Sequence, residues 1–466
     1  MRYTRATVST LLSCVGASAL SSCGGSGYNG PAASVSFSSP AQASGIRLGQ
    51  RLTLSWRSVD ATSCTASTSN GMGGNFSGSQ PTNGSLTVAP AATGSFTYTL
   101  SCAGSGGAAT ASTVTVTVGP SILSQLSRIA VIGSTVDAAA PTAAQGGNPY
   151  GLTIAPATSG PIAQGDLIVC NFNDSAGTEG AGTTLVGLHP SAGATPYNIA
   201  QSTSLQGCNA VAMLADDSIA AAAYSANTLP LVSSTGTLGS AFAAEPFAQP
   251  WGAAYVPATS AAPAALYVTN VGSGTGTASI DRIEPNGDAA ANFTEIAKGF
   301  CGSGKPGAIY APAGLTYDPS IDTLYVVDTS SYSVLALSNV SKIGSDGVLV
   351  NGGCGGATPT PALQFSGPSA AFARVIASGG QFNAPISAAL LMDGDLIVGN
   401  GDLDSPSTPN LAFEISASLG FVGKPLQLDG GMAGALFGIA ATVDSAGNQI
   451  IYFNDDNTSK VNVLTQ

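Results

Sequence analysis

One sequence motif recurs after residue 140: a Pro-x-Gly triplet, a short apolar run, a turn, and an aliphatic run that ends in Asn or Asp. Clear copies run from Pro149 to Asn171, from Pro250 to Asn270 and from Pro312 to Asp328, and weaker copies span 386–400 and 437–454. Repetition at a spacing of tens of residues is typical of stacked supersecondary units. The repeat therefore constrains the architecture more than any other feature, but it leaves the chemistry open.

The residue that ends the second strand can be identified in six units. These residues are Asn171, Tyr224, Asn270, Asp328, Asn400 and Asn454. They lie roughly 50 residues apart, with one longer interval that holds a Gly-rich insertion around 346–381. Six units of three or four strands predict a six-bladed β-propeller. Residues 440–466 supply only three strands, so the run Arg128–Ile132 is expected to complete the last blade and remove the open sheet edges.

The best-preserved copy resembles an NHL-type blade. It covers residues 312–328 and reads Pro-Ala-Gly-Leu-Thr-Tyr-Asp-Pro-Ser-Ile-Asp-Thr-Leu-Tyr-Val-Val-Asp, with weaker versions over most of 120–466. A WD40 pattern fits less well, because no Trp-Asp dipeptide or Gly-His pair ends the units. The NHL resemblance implies a propeller over 120–466 and no particular activity, since binding modules and enzymes share this scaffold.

Residues 35–119 carry a different pattern, in which apolar residues alternate with Ser or Thr in short runs such as Arg51–Trp56. Alternation gives each strand one buried and one wet face, and about 85 residues of this kind match a small sandwich. Trp56, Cys64 and Cys102 resemble the Ig-like modules of bacterial surface proteins, in which a Trp packs near an inter-strand disulfide. The resemblance implies a rigid spacer. The predicted fold class is all-β: a small Ig-like β-sandwich followed by a six-bladed β-propeller.

The N-terminus has the features of an export signal. Arg2 and Arg5 precede an apolar stretch, Ala6–Leu20, that is too short for a stable transmembrane helix. The sequence Leu20-Ser21-Ser22-Cys23 then resembles the bacterial lipobox. This resemblance implies cleavage before Cys23 and attachment of lipid to its thiol and amino group. An ordinary secretory signal with an incidental Cys is the alternative.

These features divide the N-terminal region in two. Residues 1–22 are predicted to be a lipoprotein signal peptide, and residues 23–34 a flexible tether rich in Gly. Gly24 follows the Cys, which by the sorting rule of such lipoproteins suggests the outer membrane, with the protein facing the periplasm or the cell surface. The membrane is therefore an expected partner, through the lipid anchor.

Charge excludes one class of partner. The net charge is −12, with 13 Lys and Arg residues in 466. No basic stripe exists that would neutralise phosphates, so nucleic acid is not expected as a partner. Disorder is also disfavoured, because 44% of the residues are apolar and fall in short β-branched runs.

Cysteine content agrees with export. Eight Cys occur, and Cys14 belongs to the signal while Cys23 is the predicted lipidation site. The remaining six are Cys64, Cys102, Cys170, Cys208, Cys301 and Cys354. An even set in an oxidising compartment predicts three disulfides. Sequence alone does not choose among the connectivities, although sequential pairing keeps each bridge within a domain or between adjoining blades. Zinc is disfavoured, because no CxxC spacing occurs and the chain has one His.

The polar residues that end the second strands form a candidate ligand or metal face. Strands alternate in direction within a blade, so these residues and the Pro-x-Gly entries share one end of the central channel. The candidates are Asn171, Asn173, Asp174, Asn270, Asp328, Asn400, Asn454 and Asp455, accompanied by Asp402 and Asp456. A ring of oxygen donors suits Ca²⁺, and lactonase-like propellers hold a metal in roughly this place. The competing interpretation is that Asn and Asp cap the turn through their own backbone.

No set of nucleophile, base and orienting residue emerges from the sequence. The one histidine, His189, lies in a turn after a predicted strand and is expected to be a solvated loop residue. No Gly-x-Ser-x-Gly elbow accompanies it. The leading hypothesis is therefore a non-enzymatic, outer-membrane-anchored lipoprotein whose propeller binds a protein, a glycan or a small ligand, with no cofactor. The alternative is a Ca²⁺-dependent hydrolase or lactonase-like enzyme.

Overall fold

The computed structural model describes residues 30–40, 44–106, 110–141, 145–239, 247–260, 262–286, 290–305, 308–355, 362–380, 382–401, 411–428 and 436–466. The predicted signal peptide, Cys23, most of the tether and Asp402 lie outside these ranges. The described chain is all-β, with four single-turn 3₁₀ helices at Leu123–Gln125, Thr203–Leu205, Val340–Lys342 and Ala370–Phe372. Within these ranges, no helix is long and apolar enough to cross a membrane.

Two sheets near the N-terminus pack face to face as a sandwich. The first sheet has the order β1 (Ser34–Ser39), β3 (Leu52–Val59), β6 (Gly84–Val88). The second has the order β2 (Ser44–Arg47), β8 (Thr110–Gly119), β7 (Gly94–Ala103), β4 (Ser63–Thr68), β5 (Gly78–Gln80). All neighbouring strands are antiparallel except β2 and β8. The alternation seen in the sequence sets the two faces, because inward residues are buried and their neighbours are wet.

The sandwich core is built around aromatic residues. Trp56 and Tyr98 meet the ring of Phe76 edge-on, at centroid distances of 5.7 and 5.8 Å. Edge-to-face pairs of this kind add about 0.5–1.5 kcal/mol beyond their area burial. Cys64 and Cys102 lie directly opposite each other on β4 and β7 and form a disulfide within one sheet. Trp56 and both cysteines belong to the same buried cluster.

Six further sheets follow, and each is one blade of the propeller. Blade 1 consists of β10 (Gly147–Ile154), β11 (Leu167–Asn173), β12 (Thr184–Leu188) and β13 (Tyr197–Gln201). Blade 2 consists of β14 (Cys208–Met213), β15 (Ile219–Ala223) and β16 (Leu231–Val232). Blade 3 begins with β17 (Pro250–Val256), β18 (Ala265–Asn270), β19 (Thr275–Asn286) and β20 (Ala290–Cys301).

The remaining blades repeat the same order. Blade 4 consists of β23 (Pro312–Asp318), β24 (Thr323–Asp328), β25 (Ser333–Ser338) and β28 (Ala373–Ser378). Blade 5 consists of β29 (Pro385–Leu390), β30 (Leu396–Asn400), β31 (Leu411–Ser416) and β32 (Gly420–Gln427). Blade 6 consists of β33 (Ile439–Val443), β34 (Gln449–Asp455), β35 (Lys460–Thr465) and β9 (Arg128–Ser134).

Blade 6 closes the ring as the sequence predicted. Its outer strand β9 precedes blade 1 in the chain and pairs antiparallel with β35, so that Leu464 faces Ile129 and Lys460 faces Ser134. The first and last propeller strands are thereby joined in one sheet. Closure of this kind leaves no open edge between the two ends of the repeat.

The Gly-rich insertion contributes strands to two blades. Its first part forms β26 (Val348–Asn351) and β27 (Gln364–Ser366), which extend blade 3 because β26 pairs parallel with β20. The chain then returns as β28, the outer strand of blade 4. A short hairpin, β21 (Ser303–Lys305) and β22 (Ala308–Tyr310), precedes blade 4. The sequence predicted the insertion but not these strand pairings.

The propeller core lies between blades. Each pair of neighbouring blades encloses an apolar cluster, as where Ile168 of blade 1 meets Val211 of blade 2. The middle strands are therefore covered on both faces, and every residue of β11 and of β24 is buried. Two disulfides reinforce this region: Cys170–Cys208 joins blades 1 and 2, and Cys301–Cys354 joins the end of β20 to the chain after β26. The three bridges pair the six cysteines sequentially.

Candidate functional site

The Pro-x-Gly triplet forms the narrowest part of the central channel. Its Pro begins the inner strand and faces the last residue of the second strand, as Pro250 faces Asn270 and Pro312 faces Asp328. The register shifts within the next residues in these blades, so each triplet is a β-bulge. A bulge bends the inner strand and re-aims its side chains. The repeated sequence motif therefore determines the shape of the channel.

The glycine of the triplet allows adjacent inner strands to approach. A Cβ added at Gly252 would lie 2.0 Å from the carbonyl oxygen of Ala313 in blade 4. One at Gly314 would lie 2.7 Å from the oxygen of Ile386, and one at Gly438 would lie 2.5 Å from the oxygen of Tyr150. Any side chain here would collide with backbone. The result is a waist that encloses only about 70 Å³ and is lined by inner strands of all six blades.

The middle residue of the triplet closes one end of the channel. In blades 1 and 3 it is aromatic, and blade 6 has Phe437 at the same place, after Leu436 instead of Pro. Tyr150, Trp251 and Phe437 converge there with Phe172 and Tyr224. Tyr150 is stacked between Phe172 and Phe437, at centroid distances of 4.1 and 3.5 Å. Trp251 meets Tyr150 and Tyr224 edge-on, at 5.9 and 5.5 Å. We call these five residues the aromatic plug. The sequence did not predict this plug, although an aromatic residue directly before the glycine of the repeat is a signal for it.

A polar group covers the outer side of the plug. The Tyr150 hydroxyl donates to Glu179 Oε2 at 3.5 Å, and Asn173 Nδ2 donates to Glu179 Oε1 at 3.2 Å. Burial raises the pKa of Tyr150 well above its ordinary value, and the negative charges of Glu179 and Asp456 raise it further. The Tyr150 phenol therefore stays protonated at neutral pH and serves as a hydrogen-bond donor.

A wider cavity lies on the other side of the waist. It measures about 440 Å³ and is lined by the later residues of the six inner strands. The described lining residues are aliphatic, aromatic or small, with Thr153 and Thr316 as hydroxyl groups, and they include no carboxylate, imidazole, thiol or amine. Tyr317 directs its hydroxyl to Asp322 Oδ1 at 3.1 Å, and burial raises its pKa to about 12. Polar and apolar atoms contribute about equally to its surface, so the cavity is chemically suited to an uncharged molecule that has both apolar and hydrogen-bonding groups.

The predicted Asn and Asp residues lie at the plug end, but several of them bond to protein. Asn171 Nδ2 donates to Thr135 O at 3.0 Å and to Thr184 Oγ1 at 3.1 Å. Asn454 Nδ2 donates across the ring closure to Tyr150 O at 3.2 Å. Both amides are completely buried. They join separate strands at the closure between blades 6 and 1.

Two further residues of this set bond to the entry of their own blade. Asn270 Oδ1 accepts from the backbone N–H of Ala248 at 3.2 Å, and Asn400 Oδ1 accepts from that of Asn383 at 3.1 Å. Asn270 also donates to Asp281 Oδ2 at 2.6 Å. These amides fix the loop that leads into the inner strand. These two amides therefore bond to a neighbouring loop and not to the backbone of their own turn.

The acidic members of the set cap turns in the way the competing interpretation describes. Asp328 Oδ1 accepts from Ser330 N at 3.2 Å and from Ser330 Oγ at 2.7 Å. Asp174 Oδ1 accepts from Thr178 N at 2.8 Å, and Asp455 Oδ1 accepts from Thr458 N at 3.1 Å. Asp328 is completely buried, and this burial raises its pKa to about 6 despite the hydroxyl donors.

Some oxygen atoms on this face remain without a protein donor. The buried Oδ1 atoms of Asn171, Asn173 and Asn454 accept no hydrogen bond from a described residue. A buried amide oxygen is costly to leave unsatisfied. These three atoms are the part of the predicted face that could receive a ligand or a cation.

A group of carboxylates lies elsewhere. Among the described Asp, Glu, His and Cys residues, Asp393, Asp395 and Glu414 place their oxygens close enough to share one ion. They occupy the end of blade 5 opposite the plug, because Asp393 and Asp395 lie in the turn between β29 and β30. The sequence did not predict this group, since Glu414 comes from a different strand and no spacing motif links the three.

His189 has a more specific environment than the sequence predicted. Its side chain is 60% exposed, but Nδ1 lies 2.6 Å from Oδ1 of the buried Asp166. The other oxygen of Asp166 accepts from the Tyr197 hydroxyl at 2.7 Å and from Ala163 N at 2.9 Å. This arrangement ties two hairpins of blade 1 together. Asp166, His189 and Tyr197 line neither the waist of the channel nor the wider cavity.

No protein-family model matches the sequence, and no curated protein matches it either. Similar solved structures include virginiamycin B lyase from Staphylococcus aureus with quinupristin, at 13% identity and a TM-score of 0.41, covering 69% of this chain and 96% of the lyase. PQQ-bound aldose sugar dehydrogenase from Streptomyces coelicolor has 15% identity and a TM-score of 0.42, with coverages of 72% and 98%.

The calcium-binding protein regucalcin from Agrobacterium tumefaciens has 14% identity and a TM-score of 0.43, and the match covers 72% of this chain and 95% of regucalcin. At TM-scores of this size the architecture is assigned from the chain's own strand pairing. Six sheets closed by β9 and β35 make this an all-β protein with a six-bladed β-propeller.

Proposed function

We propose that this chain is an exported lipoprotein whose propeller binds an uncharged small ligand in the wide end of the central channel. The single observation that carries the proposal is the 440 Å³ cavity, which is lined mainly by uncharged side chains and includes two threonine hydroxyls. Small-molecule sites are commonly concave cavities of about 300–1,000 Å³ with few polar groups. The waist and the aromatic plug limit the depth to which a ligand can enter.

Binding in such a cavity is driven by the removal of apolar surface from water. Each Å² of apolar surface removed contributes about 25 cal/mol, so a ligand that buries a few hundred Å² can offset the loss of its translational and rotational freedom. Thr153 and Thr316 lie on inner strands of blades 1 and 4. Their hydroxyls supply the directional contacts that such a site uses for orientation.

The test uses N-phenyl-1-naphthylamine, an uncharged apolar probe whose fluorescence rises in apolar surroundings. We expect saturable binding to the full chain and a loss of affinity of at least about tenfold in Thr153→Phe and Thr316→Phe, because the new rings occupy the cavity. Thr53→Phe, on the exposed face of the sandwich, is the matched control and should bind as the wild type does. Unchanged binding by both cavity variants would contradict the proposal.

The membrane anchor belongs to the same proposal and has its own test. The lipobox-like sequence Leu20-Ser21-Ser22-Cys23 supports it. Acyl chains anchor persistently because each buried CH₂ adds about 0.8 kcal/mol. Cys23→Ser should move the protein from the membrane fraction to the soluble fraction, and unchanged fractionation would contradict the anchor.

A second candidate function is Ca²⁺-dependent hydrolysis at the plug end. The observation that favours it is the trio of unsatisfied amide oxygens on Asn171, Asn173 and Asn454. Dihydrocoumarin, a simple lactone, is a suitable substrate probe. Hydrolysis that requires added Ca²⁺ and is lost in Asn173→Ala would support this function, whereas equal rates with Ca²⁺ and with chelator would remove it.

A further inference from the structure

The junction between the sandwich and the propeller contains a concentrated negative charge. Asp393, Asp395 and Glu414 each present one carboxylate oxygen, and these oxygens all lie within 4.8 Å of one another. Asp395 is 5% exposed and Glu414 is 1% exposed. We call these three residues the junction carboxylates. A separation of this size lets one ion contact all three, because Ca²⁺–oxygen distances are about 2.3–2.6 Å.

The charge is poorly compensated by protein groups. Burial, together with the neighbouring Asp393 and Glu414 carboxylates, raises the pKa of Asp395 to about 8. Burial likewise raises the pKa of Glu414 to about 7. Arg47 lowers the pKa of Asp393, but burial outweighs it. Ionised carboxylates in such a place require a partner of opposite charge.

Hydrogen bonds satisfy some oxygens of the junction carboxylates and leave others without a donor. Glu414 accepts from the backbone N–H groups of Ile122 at 3.1 Å and of Leu123 at 2.6 Å. Asp393 Oδ1 accepts from Asp395 N at 3.2 Å. The buried Oδ2 atoms of Asp393 and Asp395 accept no hydrogen bond from the described residues.

The nearest hydroxyl on blade 5 does not fill this gap. The Ser416 hydroxyl is a hydrogen-bond donor that lowers the pKa of Asp395, but its shortest hydrogen bond is to Gly49 O at 2.5 Å. Ser418 donates to the same carbonyl oxygen at 2.7 Å. Asp395 Oδ2 is a buried oxygen that accepts no hydrogen bond from the described residues.

The sandwich covers this group directly. A Cβ added at Gly49 would lie 2.1 Å from Asp395 Oδ2, so the turn after β2 rests on the carboxylate. Gln50 Nε2 donates to Asp393 O at 3.5 Å. The carboxylates thus contact three parts of the chain: the sandwich turn, the linker that begins with Ser121, and blade 5.

We propose that the junction carboxylates bind a divalent cation of the Ca²⁺ class, which fixes the sandwich against the propeller. The carrying observation is the unsatisfied, buried Oδ2 of Asp395 beside two further carboxylates. A set of oxygen ligands without nitrogen or sulfur selects a hard cation such as Ca²⁺. The site is distinct from the channel, so this inference does not depend on the proposed function.

Protons are the competing occupants, and pH separates the two. A cation that binds ionised carboxylates must displace their protons, so its affinity increases with pH. If protons alone neutralise the group, added Ca²⁺ will leave the protein unchanged at any pH at which it is folded. Calorimetric titrations at pH 6 and pH 8 therefore report which occupant the group accepts.

The experiment titrates CaCl₂ into the full chain in detergent, at both pH values, with MgCl₂ as a second cation. We expect one Ca²⁺ per chain, tighter binding at pH 8, and a loss of affinity of more than about tenfold in Asp395→Asn and Glu414→Gln. Asp444→Asn removes a partly exposed carboxylate in a turn of blade 6 and is the matched control. Asp395→Asn should fold well, because it removes a buried charge and keeps the shape.

Two outcomes would overturn the proposal. One is the absence of Ca²⁺-dependent heat and of any change in melting temperature in the wild type at pH 8. The other is Ca²⁺ binding that persists unchanged in Asp395→Asn, which would locate the ion at another site such as the plug end. Coupling between the two regions would also support the proposal. Ca²⁺ should bring the unfolding temperatures of the sandwich and the propeller, followed by Trp56 and Trp251 fluorescence, closer together. Asp395→Asn should abolish this effect.

Discussion

The sandwich and the propeller use β-strands in opposite ways. In β3 of the sandwich, Leu54 and Trp56 are buried while Thr53 and Arg57 face solvent. In β11 of the propeller all seven residues are buried, because neighbouring blades cover both faces of the sheet. A strand with one wet face tolerates polar residues at every second position. On a strand without a wet face, polar side chains depend on other protein groups for their hydrogen bonds. The backbone of such a strand must also fit its neighbours closely.

Charge follows the same division. Asp60 is the sole acidic residue in the sequence between Val35 and Gly119, whereas the propeller holds most of the chain's 25 acidic residues. Several of those are buried, including Asp281 and Asp328. The two regions should therefore respond differently to substitutions of equal size and to pH. The chain has two Trp, with Trp56 in the sandwich and Trp251 in the propeller, so fluorescence of Trp251→Phe and Trp56→Phe backgrounds can follow each region.

The largest difference is expected for glycine. Gly252→Val should destabilise the propeller by about 4 kcal/mol, because even its Cβ would collide with the Ala313 carbonyl oxygen, 2.0 Å away. Gly45→Val in β2 is the control, since a Cβ there meets only Thr117 O at 3.9 Å. Urea unfolding midpoints measure both. Equal losses at the two glycines would show that the channel waist is looser than the structure indicates.

Disulfide removal compares the regions at fixed loop length. Cys64–Cys102 and Cys170–Cys208 each span 38 residues. Replacing either pair with Ala should cost about 3 kcal/mol, since the entropy of the unfolded chain depends on the same loop length. The melting temperature of the sandwich should nevertheless fall more, because a small domain has a smaller entropy of unfolding. Differential scanning calorimetry tests this, and a larger drop for the propeller would contradict it.

The propeller should be more sensitive to pH than the sandwich. Burial raises the pKa of Asp281 to about 7 and that of Asp328 to about 6. Both values exceed those of the unfolded chain, so the folded propeller binds more protons and loses stability as pH rises between about 4 and 7. From these two groups we expect the propeller to lose about 4 kcal/mol between pH 5 and pH 8.

The sandwich serves as the internal reference for this pH effect. Its transition, followed by Trp56, should change little over the same range. Asp328→Asn and Asp281→Asn should flatten the pH dependence of the propeller transition. If the free energy of unfolding changed equally with pH for the transitions that Trp56 and Trp251 report, the buried carboxyl groups would not control the pH response of the propeller.

The smallest difference is expected for a single hydroxyl. Thr184→Val in the propeller removes the Oγ1 that accepts from Asn171 Nδ2 at 3.1 Å, which should cost about 1 kcal/mol because the amide keeps only its bond to Thr135. Thr53→Val removes an exposed hydroxyl that lies 3.0 Å from that of Thr87, and should stay within about 0.5 kcal/mol. Chemical denaturation resolves both values. A larger loss at Thr53 would reverse the comparison.

Local patterns were sufficient to predict the strands and the closure. The alternation around Trp56 identified a half-buried strand, and the three-strand ending after Ala440 identified Arg128–Ile132 as the missing partner. The strands of the insertion were harder to predict, because Val348–Asn351 becomes a strand only through pairing with the edge of β20. Pairing of this kind depends on a neighbour that the local sequence does not specify.

The candidate sites show the same limit. The sequence placed Asn171, Asn270 and Asp328 at one end of the channel, and the strand registers put them there. It did not identify the aromatic plug, because Tyr150 and Phe437 come together only when the ring closes. The contact of Gln50 with Asp393 joins residues 343 positions apart, and no spacing rule predicts it.

The sequence by itself determined the all-β class, the six repeats and the closing strand, and it predicts export. These depend on periodicity and on turn chemistry, which act over a few residues at a time. Only the tertiary structure decided which residues of the repeat block the channel, which ones leave a wider cavity, and which carboxylates meet at Gly49. Those properties depend on distances between separate blades, because stacking brings together side chains that are far apart in the chain.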